Sequence, residues 1–199
     1  MGEKRDSMRL FVKEVIARAA IMLFLFFGLF ASPARASEAA LTDIMVTNTG
    51  GHPLLSFSIT NCFTEDMKKA IENGINTTFT FFIKLYEINE FWWDKKIAVL
   101  KVSHDIRYDN LKKVYMVRLS ERNNEWIVVQ DFQEAKELAS KIVRLKIVEP
   151  HRLCKDSRYR VRMMAELDKI TLPFYLHYVF FFLSLWDFET DWHTVDFKY

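Results

Sequence analysis

The segment from Thr77 to Ile88 constrains the fold most strongly, because its apolar residues alternate with more polar ones. Positions 79, 81, 83 and 85 are Phe, Phe, Ile and Leu. A period of two puts these side chains on one face of a β-strand, and aromatic and β-branched residues favour strands. Residues 97–104 and 112–119 repeat the pattern, with RYDNLK as the turn between them. We expect these three segments to form neighbouring antiparallel strands.

Further short segments of similar composition predict additional strands. They are Leu41–Thr47, Leu54–Thr60, Trp126–Val129, Val143–Val148, Arg158–Leu167 and Trp186–Phe197. Gly50 and Gly51 can supply the positive φ angles of a tight hairpin between the first two. The short connections do not allow parallel crossovers, so we expect a mostly β fold. It would be an antiparallel β-sandwich or curled sheet of about nine strands with two short helices.

Two segments change to the helical period. Thr64 is suited to cap a short helix, with acidic residues in its first turn and Gly74 at its end. Asp131 and Glu134 form a capping box ahead of a second helix. The apolar face predicted for this helix comprises Phe132, Ala135, Leu138, Ala139 and Ile142.

The first 36 residues have the features of an export signal. Ala19 to Ala31 is an apolar run that would be about 20 Å long as a helix, against a hydrocarbon layer of about 30 Å. Basic residues precede this run, and Ala34-Arg35-Ala36 supplies the small residues of a cleavage site. The pattern predicts a signal peptide over residues 1–36 and a single β-rich periplasmic domain over 37–199. The alternative is an uncleaved inner-membrane anchor that contacts the membrane through residues 15–34, with the domain facing the periplasm.

The charge balance weighs against nucleic-acid binding. The protein has 28 Lys and Arg against 26 Asp and Glu, and residues 1–36 hold six and three of these. The predicted domain therefore carries 22 basic and 23 acidic residues of interspersed sign. Such a surface has no electrostatic footprint for a nucleic acid.

Four blocks of sequence carry a resemblance to a known family. They are ENGINTTFTFFIKLYEINEFWWDKK, RYDNLKKVYMV, DFQEAKELAS and LSLWDFETDW. In their order and in the paired tryptophans the chain resembles a bacterial exported family, domain of unknown function 4390. The resemblance covers most of residues 40–197 and implies an exported, β-rich domain. Because that family has no established activity, the resemblance assigns no catalytic residue.

Two charged stripes are candidates for a binding surface. In RYRVRMM, the side chains of Arg158, Arg160 and Arg162 would face one way. WDFETDW would place Trp186, Phe188, Thr190 and Trp192 on one side of a strand and Asp187, Glu189 and Asp191 on the other. If the two strands are neighbours, the stripes form a cross-strand ion-pair ladder. The alternative for the arginines is an anion or lipid-headgroup site.

The carboxylates of WDFETDW do not predict a metal site. Same-face neighbours on a strand are about 7 Å apart, whereas calcium requires oxygens at about 2.3–2.6 Å. We therefore expect a solvated strand face there.

Aromatic residues mark two further regions. Residues 172–186, LPFYLHYVFFFLSLW, predict a strand buried on both faces, with an apolar groove for a lipid or a partner, or a membrane-embedded segment, as alternatives. If a strand continues through Trp92 and Trp93, one of them lies in the core and the other at the rim. Their alternative role is stacking against a sugar or peptide ring. The candidate ligand or partner surface thus comprises Trp92, Trp93, Arg158, Arg160, Arg162, Trp186 and Trp192.

Cys62 and Cys154 are the only cysteines. Cys62 lies between an apolar strand and a helix cap, whereas Cys154 lies in a polar loop. We expect two free thiols, with a disulfide in an oxidising compartment as the alternative.

The chain lacks the short catalytic motifs of the common enzyme classes. G-x-S-x-G, H-E-x-x-H, the Walker glycine loop and G-x-G-x-x-G are all missing, and the five histidines are scattered singly. We expect no catalytic residue, metal or cofactor. The favoured function is a noncatalytic envelope protein, a protein-interaction or accessory domain with another envelope protein or lipid as partner. The alternative is a periplasmic carrier of a lipid or small apolar ligand that uses residues 172–186.

Overall fold

The computed structural model describes residues 39–168 and 189–199, and within them the fold is mostly β, as predicted. The leader, residues 172–186 and Trp186 lie outside the described residues. The strands are β1 Ala40–Thr49, β2 His52–Thr60, β3 Thr77–Glu87, β4 Lys95–Asp109, β5 Val114–Leu119, β6 Trp126–Val129, β7 Lys141–Lys146, β8 Arg158–Leu167 and β9 His193–Lys198. The helices are α1 Glu65–Glu72 and α2 Phe132–Ser140, with a 3-10 turn at Pro150–Arg152. Neither α-helix is long and apolar enough to cross a membrane.

The described strands form two antiparallel sheets. The small sheet has the order β1-β2-β7, and the large sheet has the order β6-β5-β4-β3-β8-β9. The predicted hairpin of β1 and β2 is confirmed, with Gly50 and Gly51 at φ 61° and 79°. The predicted neighbours β3, β4 and β5 are confirmed as well.

Strand β4 is longer than its apolar pattern indicated. It starts at Lys95, paired with Glu87 of β3, and ends at Asp109, paired with Val114 of β5. The turn to β5 is therefore confined to residues 110–113. Backbone pairing does not require apolar side chains, so the ladder continues through charged residues that the pattern left in a turn.

The core lies between the two sheets. The inward side chains of β3 are the apolar set predicted at positions 79, 81, 83 and 85, and all four are fully buried. The Phe81 ring meets that of Phe57 from β2 edge to face, with centroids 5.6 Å apart. Strand β8 adds the buried side chains of Tyr159, Val161 and Met163. Alternation along the strands thus produces the sandwich core.

Both helices begin at the predicted caps. Thr64 Oγ1 accepts a hydrogen bond from the Met67 amide at 3.2 Å. The Asp131 carboxylate accepts from the amides of Gln133 and Glu134 at 3.0 and 3.4 Å. The assignment of Ile142 to the face of α2 is wrong, because that helix ends at Ser140. Ile142 is a buried residue of β7, where its backbone pairs with β2.

One polar pair is part of this core. His104 on β4 is fully buried, and its Nδ1 donates to the Ala139 carbonyl at 2.9 Å. Its Nε2 lies 3.0 and 3.1 Å from the two carboxylate oxygens of Glu121. The pair joins β4 to α2 and to the loop after β5. Both ring nitrogens of this histidine therefore have a partner inside the fold.

Candidate functional site

The loop between β3 and β4, residues 88–94, presents three consecutive aromatic side chains to solvent; we call it the aromatic loop. Phe91, Trp92 and Trp93 are 89 %, 82 % and 92 % exposed. The prediction that a strand runs through the two tryptophans and buries one of them is wrong. Strand β3 ends at Glu87 and β4 starts at Lys95, so both indoles lie outside the sheet.

Several contacts fix the ends of the aromatic loop. The Ile88 amide donates to the Arg158 carbonyl at 2.8 Å, which continues the pairing of β3 with β8. Inside the loop, Asn89 Nδ2 donates to the Trp93 carbonyl at 3.1 Å. At its far end, Asp94 accepts from Arg160 at 3.0 Å. The aromatic side chains are thus carried by a loop tied to the large sheet.

Arg160 is the centre of an ion-pair network next to this loop. Its Nε and Nη2 donate to the two carboxylate oxygens of Asp196 at 2.8 and 2.9 Å, while Nη1 donates to Asp94. Hydrogen bonds from Arg160, together with its charge, hold the pKa of Asp196 below its usual range. The same bonds raise the pKa of Arg160. The bidentate geometry fixes the guanidinium in one orientation.

The predicted ladder between the arginine strand and the last strand is correct in its neighbours and wrong in its register. Strand β8 pairs with β9, but Arg160 lies opposite Asp196, and Arg162 lies opposite Thr194. Glu189 instead forms an isolated bridge to Glu166, and Asp191 is exposed. Residues 190–192 belong to no strand, but exposure in the described part of WDFETDW follows the predicted alternation: Glu189 and Asp191 are exposed, Thr190 is buried and Trp192 is half-buried. Asp187 lies outside the described residues.

Arg162 and Trp192, two predicted site residues, are in contact. The Arg162 guanidinium carbon is 5.3 Å from the centre of the Trp192 ring. Lys84 Nζ of β3 approaches the same ring to 4.1 Å. These cation–π contacts place Trp192 on the solvent face of the large sheet.

The aromatic loop and the neighbouring strands β3, β8 and β9 line an open groove of about 720 Å³. Its aromatic wall consists of Tyr86, Trp92 and Trp93, and its polar floor consists of Asp94, Arg160, Arg162, Thr194 and Asp196. Four predicted site residues therefore meet there, while Arg158 does not line the groove and Trp192 flanks it through Arg162. Sequence reasoning missed the other four lining residues. The outward position of Tyr86 in the alternation of β3 was the available signal, but its pairing with Arg160 was not visible in the sequence.

The charges that line the groove balance one another. Two arginines, Arg160 and Arg162, stand against two carboxylates, Asp94 and Asp196. The geometry gives this surface aromatic faces, hydroxyl groups and a fixed ion-pair network, with no net charge among the lining side chains.

The cysteines lie away from the groove lining and are free thiols in the structure. Burial raises the pKa of the Cys62 thiol to about 12, so this side chain is unreactive at neutral pH. Cys154 is exposed. Among the described residues, no three His, Cys, Asp or Glu side chains are grouped so as to hold a metal ion.

The fold and the groove together define a β-sandwich domain with an open surface site whose lining side chains carry no net charge. The sequence matches the profile of the domain of unknown function DUF4390 over residues 36–196, and the chain belongs to this family. The comparison with curated proteins gave no match, and neither did the comparison with solved structures.

Proposed function

We propose that the protein is an exported, noncatalytic accessory domain of the cell envelope that binds another envelope component through the aromatic loop and the groove. The observation that carries the proposal is the exposure of Phe91, Trp92 and Trp93 on a loop held to the sheet. Single exposed apolar residues are common on soluble proteins, but adjacent large ones mark interaction sites. Tryptophan is enriched among the residues that dominate binding energies. An anchored loop also loses less conformational entropy when it binds.

The ion pairs of the groove support a noncatalytic role. A general base works best with a pKa near the operating pH. Asp196 has its pKa held low by Arg160 and is therefore a weak proton acceptor. Its charge stabilises the geometry of the groove.

The ion pairs of the groove also weigh against the two lipid alternatives, a headgroup site at the arginines and a carrier of an apolar ligand. A phosphate headgroup at Arg160 would compete with two carboxylates that already accept three hydrogen bonds from the guanidinium. An apolar ligand would remove water from the charged floor and offer no hydrogen bond in its place. The carrier alternative would depend on residues 172–186, which lie outside the described residues.

Export is tested by cell fractionation and mass spectrometry of the N-terminus. We expect a periplasmic chain that begins at Ser37, because the apolar run is shorter than the hydrocarbon layer. A chain that keeps residues 1–36 in the membrane fraction would replace the signal peptide with the anchor. Recovery of the intact chain from the cytosol would reject export.

Binding through the aromatic loop is tested with a photocrosslinking amino acid at position 91 in cells. The matched control carries it at position 111, where Leu111 is 96 % exposed in the turn at the other end of β4. We expect one adduct of defined mass from position 91, which disappears when Trp92 and Trp93 are also replaced by alanine. Equal labelling from both positions, or none from position 91, would contradict the proposed function.

A further inference from the structure

We propose that the groove is a carbohydrate-binding site for an uncharged chain of pyranose sugars. This inference rests on the proposed function and names the chemical class of its ligand. The groove joins the three features that a neutral sugar requires: aromatic faces, fixed polar partners for hydroxyl groups, and no net charge.

The aromatic wall provides the stacking faces. A pyranose ring has an apolar side formed by its C–H groups, and this side packs on the face of an indole or phenol ring. Trp92 and Trp93 reach the groove from the aromatic loop, and Tyr86 reaches it from β3. In the sequence, the only aromatic residue next to the two tryptophans is Phe91. The fold supplies Tyr86 and the polar floor from β3, β8 and β9.

The polar floor provides partners for the hydroxyl edge of the sugar. Each carboxylate oxygen of Asp94 and Asp196 has two lone pairs, so the bonds to Arg160 leave acceptor capacity toward the groove. The hydroxyl groups of Tyr86 and Thr194 both donate and accept. Because Arg160 is held by three hydrogen bonds, these acceptors are oriented before a ligand arrives. Hydrogen-bonding groups fixed in this way supply specificity in ligand sites.

Charge separates a neutral sugar from an anionic ligand. Arg160 donates three of its five N–H bonds to Asp196 and Asp94, so a phosphate at its guanidinium would compete with two carboxylates. Arg162 lies over the Trp192 ring, with 5.3 Å between the guanidinium carbon and the ring centre. Because the lining charges sum to zero, an anion gains no net attraction from the groove and still loses its own hydration, whereas a neutral sugar has no charge to desolvate.

The size and openness of the groove fit a section of a chain. Its volume of about 720 Å³ lies within the range of small-molecule sites, about 300–1,000 Å³. Both indoles are mostly exposed, so the wall is open to solvent and does not close around a ligand end. The groove can therefore hold a few rings while the polymer continues in both directions.

The test is isothermal titration calorimetry of the full chain with two neutral tetramers. One is the β-1,4-linked tetramer of N-acetylglucosamine, which represents an amino-sugar polymer, and the other is the β-1,4-linked tetramer of glucose, which represents a plain glucan. We expect saturable binding of at least one tetramer. The preferred tetramer indicates whether the natural ligand is an amino-sugar polymer or a plain glucan. In the Trp92→Ala and Trp93→Ala variants, we expect binding to weaken about fivefold, because each loses a stacking face.

The controls distinguish binding at the groove from nonspecific binding to exposed apolar side chains. Leu111→Ala, which removes an equally exposed apolar side chain from the other end of β4, should leave the affinity unchanged. Both tryptophans are mostly exposed, so their removal does not disturb the core, and unchanged thermal unfolding verifies this. Asp196→Asn keeps the shape of the floor and should also weaken binding.

Several outcomes would overturn the carbohydrate inference. They are failure of both tetramers to bind, binding that is indifferent to Trp92 and Trp93, and displacement of the sugar by inorganic phosphate. If position 91 crosslinks to a protein and neither tetramer binds, the inference falls while the proposed function stands. If crosslinking and titration both fail, the two fall together.

Discussion

Replacement of Phe81 by alanine is expected to lower the free energy of unfolding by about 4 kcal/mol, the middle of the range for buried aromatic side chains. The side chain is fully buried at the contact between the two sheets. Its ring lies 5.6 Å from that of Phe57 on β2 and 4.8 Å from that of His104 on β4. Small domains have total stabilities of only about 5–15 kcal/mol, so this change removes a large share. Urea denaturation followed by circular dichroism measures it.

Phe82→Ala is the matched control for this prediction. Phe82 is the next residue of β3 and points to the opposite face, where Lys101 Nζ lies 5.4 Å from its ring centre. The ring is only half-buried. We expect a loss of about 1 kcal/mol, near the centre of the range for point substitutions. Equal losses for the two variants would show that the assignment of faces along β3 is incorrect.

The sandwich was predictable because its information is local. The alternation in β3 and β8 fixes which side chains point inward, since neighbouring positions on a strand face opposite sides. Thr64 and Asp131 are signals of the same kind, because a helix cap bonds to amides only two or three residues away. At these positions the deciding residues lie close in sequence, and the structure agrees with the prediction.

The aromatic loop was mispredicted for a physical reason. Trp92 and Trp93 are strand formers by composition, and propensity describes how well a side chain fits a pleated, half-buried surface. At this point the neighbouring strand has ended: the last contact of β3 with β8 is the bond from Ile88 to Arg158. Without a partner strand the segment leaves the sheet, and both indoles become exposed.

The polar neighbours of Arg160 in the groove could not be predicted from the sequence, for a different reason. Asp196 faces Arg160 because of the register between β8 and β9, and Tyr86 faces it because of the register between β3 and β8. Such registers join residues far apart in the chain and depend on the length and path of the connections. The sequence stripes indicated that arginines and carboxylates would meet, but not which carboxylate.

The second large effect is expected at Glu121, the partner of buried His104. Glu121→Ala should lower the free energy of unfolding by about 2 kcal/mol at pH 7, the size of a lost hydrogen bond to a charged group. His104 Nδ1 must donate to the Ala139 carbonyl, because a carbonyl only accepts. The other nitrogen, Nε2, would then face an empty site inside the core. An unsatisfied buried polar atom of this kind adds to the loss.

The contribution of Glu121 should also depend on pH. Burial acts to raise the pKa of this carboxyl, but the hydrogen bond and charge of His104 outweigh burial and lower it. A carboxyl whose pKa is lower in the folded than in the unfolded chain adds stability above the unfolded pKa, about 4.3 for Glu. That stability is lost as the pH falls through the folded pKa.

Glu121→Gln isolates this charge, because glutamine keeps the shape of the side chain. At pH 7 we expect the variant to be less stable than the wild type by about 1 kcal/mol. The difference should shrink as the pH is lowered from 5 to 3, since the carboxyl of the unfolded chain, with a pKa of about 4.3, then gains a proton. Glu125→Gln, the same change at an exposed position of the same loop, should show no such convergence. Urea denaturation at each pH measures all three proteins. A wild-type advantage over Glu121→Gln that stays constant across this range would show that the ionised carboxylate does not stabilise the His104 pair.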